Sequence, residues 1–209
     1  MDKEYWEKFY VSAAVPDQPS DFARFIFNEY KESCGIIFDL GSGNGRDSIW
    51  FATMGLDCVG IEQSHTAVNE SRLKAASLGL DTTFRQDDFS KCDFDSLSNG
   101  DSFSVYSRFT LHAVGYDEES SLLKNLSDCN HLRYVFIEVR SVSDSLYGQG
   151  KKVGPHEFIT SHYRRFIDPE ELKSKLSENF MIEFFEERTG FAKIKSEDPC
   201  LIRAIVKKQ

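Results

Sequence analysis

Short apolar runs alternate along this chain with stretches in which apolar residues recur every three or four positions. That is the pattern of strands interleaved with helices. The runs at about 35–40, 57–61, 82–86, 102–107 and 132–139 read as strands. In the last of these, Tyr134-Val-Phe-Ile-Glu-Val139 is almost continuously apolar, as a strand covered on both faces must be. Between them, residues 21–32 read as a helix with Ser20 or Asp21 at its N-cap and Phe22, Phe25 and Ile26 on one face. Further helices are expected at 45–54, stopped by Gly55, from Ser64 to about 78, stopped by Gly79, and at 117–127. Asp168-Pro169-Glu170-Glu171 reads as another helix start, with the acid at the N-cap, proline at N1 and Glu171 at N3. Runs at 180–187 and 200–206 read as a closing antiparallel pair. The alternation predicts an α/β fold with a mainly parallel sheet. Residues 140–167 interrupt it with no clear element, and a connection that long is usually functional or disordered.

Bulk properties narrow the choice of function. The 209 residues suit one domain, and 40% hydrophobic with 28% charged residues is ordinary for a soluble globular protein. A net charge of −9 argues against general nucleic-acid binding, which needs a basic footprint. No apolar run is long enough to span a membrane, and the charged start Met1-Asp-Lys-Glu lacks a signal-peptide core. The five cysteines, at 34, 58, 92, 129 and 200, are odd in number and form no C-x-x-C. Reduced, mostly buried thiols in a cytoplasmic protein are expected, with no zinc or other metal site.

Candidate chemistry begins at Ile36-Ile-Phe-Asp39-Leu-Gly41-Ser-Gly43-Asn-Gly45, where an apolar strand runs into a loop with glycine at every second position. Glycines there let backbone approach a ligand at the carboxyl edge of a parallel sheet. A dinucleotide loop, G-x-G-x-x-G, would need its third glycine at Arg46, so the pyrophosphate cradle fits poorly. Glu62 closes the next apolar run, where a carboxylate can accept hydrogen bonds from ribose hydroxyls. Together these imply a ribose-bearing cofactor without the usual pyrophosphate loop.

Asp39-x-Gly41-x-Gly43-x-Gly45 followed by Glu62 resembles the first two motifs of class I S-adenosylmethionine-dependent methyltransferases. The resemblance implies a Rossmann-like fold: a seven-stranded, mostly parallel sheet ending in an antiparallel hairpin, with helices on both faces. It implies S-adenosylmethionine as cofactor, bound by Asp39, the three glycines, Glu62 and Gln63, with Asp88 on the adenine amine, Phe89 on its ring and Ser107 at the end of the fourth strand. The opening Tyr5-Trp-Glu-Lys-Phe-Tyr10 is similar to small bacterial methyltransferases of the tellurite-resistance-like type, which implies that Trp6 and Tyr10 cover the cofactor's methionine end within an N-terminal helical segment, 1–34. Arg108-Phe-Thr-Leu-His112 falls where the family places its catalytic or substrate-facing residues. His112 is the candidate general base, because histidine is the side chain most easily tuned near neutral pH, and Arg108 the candidate for orienting an acceptor.

The interrupting segment carries a charge reversal. Residues 140–167 hold five basic residues, Arg140, Lys151, Lys152, Arg164 and Arg165, against two acids, Asp144 and Glu157, with His156 and His162 among them. An anionic small-molecule acceptor is expected there, with Arg140, Lys152, His156, His162, Arg164 and Arg165 as its candidate ligands. Gly148, Gly150 and Gly154 would give the segment the mobility of a lid. The glycine-rich lid and Arg164-Arg165-Phe-Ile-Asp168 are also similar to small methyltransferases of bacterial capsular-polysaccharide clusters, including those serving O-methyl phosphoramidate groups. Two rival readings share the glycine loop: a nicotinamide-dependent reductase and a non-catalytic nucleotide-binding subunit.

Overall fold

The computed structural model describes residues 3–12, 17–193 and 197–208. A seven-stranded sheet forms its centre, in the order β3 (Thr83–Gln86), β2 (Cys58–Glu62), β1 (Ile36–Leu40), β4 (Phe103–Arg108), β5 (Leu132–Arg140), β10 (Leu201–Lys208) and β9 (Phe180–Arg188). The first five strands are parallel. The last two run antiparallel, as the closing apolar runs led one to expect. The mostly parallel α/β fold with a C-terminal hairpin is therefore observed.

Pleating splits the apolar residues between two cores. Phe38, Leu40, Val105, Val135, Ile137 and Val139 point to one face, where Leu122 and Leu126 of α6 (Tyr116–Asp128) and Leu172 and Leu176 of α7 (Pro169–Asn179) cover them. Ile37, Tyr106, Phe136 and Ile205 point to the other, beneath Phe22, Ala23 and Ile26 of α2 (Asp21–Tyr30) and Phe51 of α3 (Arg46–Thr53). Residues one apart on a strand thus lie in different cores, which is why the central strands read as continuous apolar runs. The expected helix starts hold: Ser20 accepts the Ala23 amide, Ser64 opens α4 (His65–Ser77) by accepting the Ala67 amide, and Asp168 accepts those of Glu170 and Glu171. Among the described residues no helix is long and apolar enough to cross a membrane.

Residues 140–167 correct the expectation of a segment without elements. They build a separate antiparallel sheet of β6 (Lys151–Gly154), β7 (Glu157–Ile159) and β8 (Tyr163–Arg165). Strands of three or four residues are too short to show alternation. Their pairing is held by tertiary contacts instead, chiefly the packing of Tyr147, Phe158 and Phe166 against one another. The turn from β6 to β7 places His156 at φ 57°. Of the N-terminal segment, α2 lies in the second core, whereas α1 (Lys3–Ser12) lies across the carboxyl ends of the parallel strands, against α4.

Candidate active site

The glycine loop leaves β1 and enters α3 with Gly41, Gly43 and Gly45 at φ 65°, 56° and 73°. Gly45 is the left-handed N-cap of α3, and a Cβ on it would lie 2.8 Å from the Phe84 ring and from Ser71 Oγ. A Cβ on Gly43 would lie 2.3 Å from the Tyr10 hydroxyl. Gly45→Ala therefore adds a left-handed penalty to a steric one, and a loss of at least ~2 kcal/mol in urea unfolding is expected. A loss below ~0.5 kcal/mol would show that the loop relaxes freely.

Glu62, at the end of the neighbouring strand, holds this loop in shape. Its Oε2 accepts the Gly43 amide at 3.1 Å and its Oε1 accepts the Ser64 amide at 2.8 Å. Burial pushes its pKa up, and the backbone amides oppose that. A carboxylate has about four lone-pair directions, so Glu62 keeps capacity for ligand hydroxyls. Asp39, 3% exposed, accepts from Ser48 Oγ at 2.5 Å. Burial and then the charge of Asp47 push its pKa up to about 8. Asp47 was not singled out in the sequence. It accepts the Ser20 amide and hydroxyl, each at 2.7 Å, and the Tyr106 hydroxyl at 2.9 Å. An aspartate in the first turn of a helix looks like an ordinary dipole partner until the fold brings Ser20 and Tyr106 to it.

Helix α1 closes over this edge. Glu7 accepts from the Thr66 amide at 3.1 Å and its hydroxyl at 2.5 Å, at the N-terminus of α4. Tyr10 sits against Gly43, and burial, with the nearby charges of Glu62 and Asp39, raises its pKa. Tyr5 and Trp6 pack on His162, with ring centroids 4.7 and 5.5 Å away. The N-terminal aromatics thus touch the cofactor loop at one end and the small sheet's last turn at the other.

The remaining sequence candidates divide sharply. Ser107 lies at the end of β4, paired with Leu40, and is buried. Arg108 donates to Glu138 at 2.9 Å and lies 4.2 Å over the ring of Phe109, whose φ is 60°. His112 stacks on the same ring at 5.3 Å and is 7% exposed. Burial first, then the charges of Arg164, Arg140, His162 and Arg108, hold its pKa well below 6.5, so the imidazole is neutral. Arg164 donates to His162 Nε2 at 3.0 Å, and no carboxylate pairs with it among the described residues. Burial, then Arg140, lowers its pKa.

Other candidates have partners of their own. Arg140 is held by Asp144 at 2.9 Å and Glu197 at 2.8 Å. Arg165 is buried, ion-paired with Glu119, and donates to the carbonyls of Val114 at 3.1 Å and Leu111 at 3.3 Å. Lys152 is exposed on β6, and His156 meets the Tyr147 hydroxyl at 2.9 Å. Asp88 caps the short turn after β3, accepting from Ser90 Oγ at 2.7 Å and lying 3.2 Å from Lys91. Phe89 is part of the first core, and Gln63 offers its carbonyl to Gln86 at 3.3 Å.

Five buried side-chain atoms have no hydrogen-bond partner among the described residues: Glu7 Oε2, Ser42 Oγ, Ser107 Oγ, His112 Nδ1 and Arg164 Nε. All five belong to the carboxyl edge of the sheet or to the segments packed over it. Orphaned polar atoms cost about 1–3 kcal/mol each in a closed protein, and their concentration on one edge marks a ligand site. The glycine cradle, Glu62, Ser42 and Ser107 fit a ribose-bearing cofactor, with α1 as its cover.

Residues 37–130 match the family model described as a methyltransferase domain. No curated protein matches the chain by sequence. Among solved structures, the chain is similar to a SAM-dependent methyltransferase from Anabaena variabilis (14% identity, TM-score 0.73, covering 99% of this chain and 93% of that one). It is similar to another from Methanosarcina mazei (19%, 0.71, 88% and 96%) and to a magnesium protoporphyrin IX methyltransferase from Synechocystis with bound SAM (15%, 0.64, 98% and 90%). At these identities the structural likeness establishes the fold. The methyltransferase-domain match over residues 37–130, set in a fold shared with these structures, supports S-adenosylmethionine-dependent methyl transfer with S-adenosylmethionine as the cofactor. The nicotinamide reductase and the non-catalytic subunit are set aside.

Proposed function

We propose that the enzyme transfers the methyl group to an oxygen of a small anionic acceptor held by Arg164. The observation that carries this reading is the Arg164 guanidinium, half-buried beside His112, with Nε partnerless and no carboxylate paired to it among the described residues. Asp144 and Glu197 act on this half-buried cation only without direct pairing, and an acceptor anion would supply a bonded partner. The cofactor, when bound, supplies an electrophilic methyl group on sulfur. What this chain adds is placement: Tyr5 and Trp6 fix His162, His162 fixes Arg164, and alignment of this kind is worth roughly 7–11 kcal/mol in well-oriented reactions. The sequence resemblance narrows the acceptor to a phosphorylated or sugar-type metabolite of bacterial capsule biosynthesis. Five free cysteines, four of them buried, suit a cytoplasmic enzyme, and the charge of −9 counts against a nucleic-acid acceptor.

The reading is tested with methyl-labelled cofactor and a polar cell extract separated on an anion exchanger. Label is expected in the retained fraction, and Arg164→Gln is expected to lower it at least about tenfold while leaving S-adenosylhomocysteine binding within a factor of two. The extract is separated before it meets the enzyme, so label taken up only by the unretained, neutral fraction would refute the anionic acceptor.

A further inference from the structure

The small sheet is not a freely moving flap over its whole length. Arg164 and Arg165 are neighbours on β8, so their side chains leave opposite faces of the strand. Arg165 turns inward, where it is ion-paired with Glu119 and bonded to the carbonyls of Leu111 and Val114. Those two carbonyls bracket the short turn that carries His112. Arg165 thereby staples the strand bearing Arg164 to the turn bearing His112. The two partnerless nitrogens, His112 Nδ1 and Arg164 Nε, are presented by one braced unit.

A cation alone would serve an acceptor whose anionic oxygen takes the methyl group, because that oxygen carries no proton to remove. Here the cation has a buried imidazole beside it. The charged groups packed around that imidazole are Arg108 from β4, Arg140 from β5, and His162 and Arg164 from β8 and the turn before it, and all of them oppose its protonation. One ring nitrogen therefore keeps its lone pair until an acceptor arrives.

We propose that the methylated atom is a hydroxyl oxygen lying beside the acceptor's anionic group, with His112 taking the hydroxyl proton and Arg164 holding the anion, so that the product is a methyl ether and not a methyl ester. The proposal rests on the anionic-acceptor reading above. In the step, the O–H proton passes to the imidazole and the oxygen forms the new C–O bond. The C–S bond breaks with its electron pair returning to sulfur, and the imidazolium later releases its proton to water. Arg165 and Glu119 act as positioning residues and touch no reacting atom.

The test uses the full-length enzyme, ¹³C-methyl cofactor and the acidic metabolites retained on the anion exchanger. The labelled product is expected to survive alkali and to show no coupling between the methyl carbon and phosphorus. An alkali-labile methyl, or one coupled to phosphorus, places the group on a carboxylate or phosphate oxygen. That overturns this proposal and leaves the anionic acceptor standing. Label absent from the retained fraction overturns both. In the second arm, His112→Gln is expected to lower kcat by about 10²-fold or more with little change in the acceptor KM. The wild-type rate is expected to hold from pH 9 downward and to fall only below the ordinary histidine value of 6.5. Activity of the glutamine variant within threefold of wild type would overturn the role of His112, and the product chemistry decides the hydroxyl assignment even if that variant fails to fold.

Discussion

Asp39→Asn is expected to stabilise the folded enzyme by several kcal/mol at pH 8 and to change little at pH 4. Asp39 lies beneath the cofactor loop, buried beside Asp47, with a pKa of about 8 against 3.8 for an ordinary aspartate. Its folded value is raised, so the folded protein keeps a proton that the unfolded chain surrenders between those two pH values. The stability that proton confers is fully present below 3.8 and is lost as pH rises through about 8. The loss proceeds at about 1.4 kcal/mol per pH unit within that window. Asparagine cannot ionise, and its carbonyl can still accept from Ser48 Oγ. Urea unfolding at pH 5, 6, 7 and 8 checks this: the wild-type slope should exceed that of the variant by about that amount, and parallel slopes would refute it.

Glu138→Ala should have the largest destabilising effect of any single change near the site. Glu138 is fully buried at the end of β5 and accepts from Arg108 Nε at 2.9 Å and from Arg203 Nε at 2.6 Å. Arg108 and Arg203 are themselves nearly buried. Removing the carboxylate strands two cations where water cannot reach them, and the expected cost is ~3–5 kcal/mol in chemical denaturation. Glu138→Gln keeps an acceptor oxygen for only one of the two arginines, and should fall between alanine and wild type. An alanine variant within ~1 kcal/mol of wild type would show that Arg108 and Arg203 find other partners. Because Arg108 stacks on Phe109, and Phe109 on His112, the same variant should also disturb the position of the imidazole.

The glycine loop and its contact with Glu62 were legible because their determinants are local. A strand, a tight turn and a helix N-terminus are consecutive in sequence, and only glycine fills the left-handed positions of such a turn, so Gly41, Gly43 and Gly45 announce the loop. Glu62 ends the adjacent parallel strand, and one βαβ unit fixes that spacing. The acceptor half is different. Arg140, Arg164 and Arg165 look alike as letters in one basic segment. Burial and partner choice separate them: Arg140 answers Asp144 and Glu197, Arg165 answers Glu119, and Arg164 has a nitrogen without a hydrogen-bond partner among the described residues. The ion pair of Arg165 spans 46 positions and that of Arg140 with Glu197 spans 57, separations that no local pattern encodes. The strands of the small sheet were hidden for the same reason, being too short for periodicity and held by Tyr147, Phe158 and Phe166.

By itself, then, the sequence determined the parallel α/β frame, the caps of its helices and the place and kind of the cofactor loop, because periodicity, capping and left-handed glycines act over a few residues. Only the tertiary structure decided which charges are paired and which are not. Charge pairing in a protein interior depends on which distant segments the fold packs together and on how much water it excludes from between them.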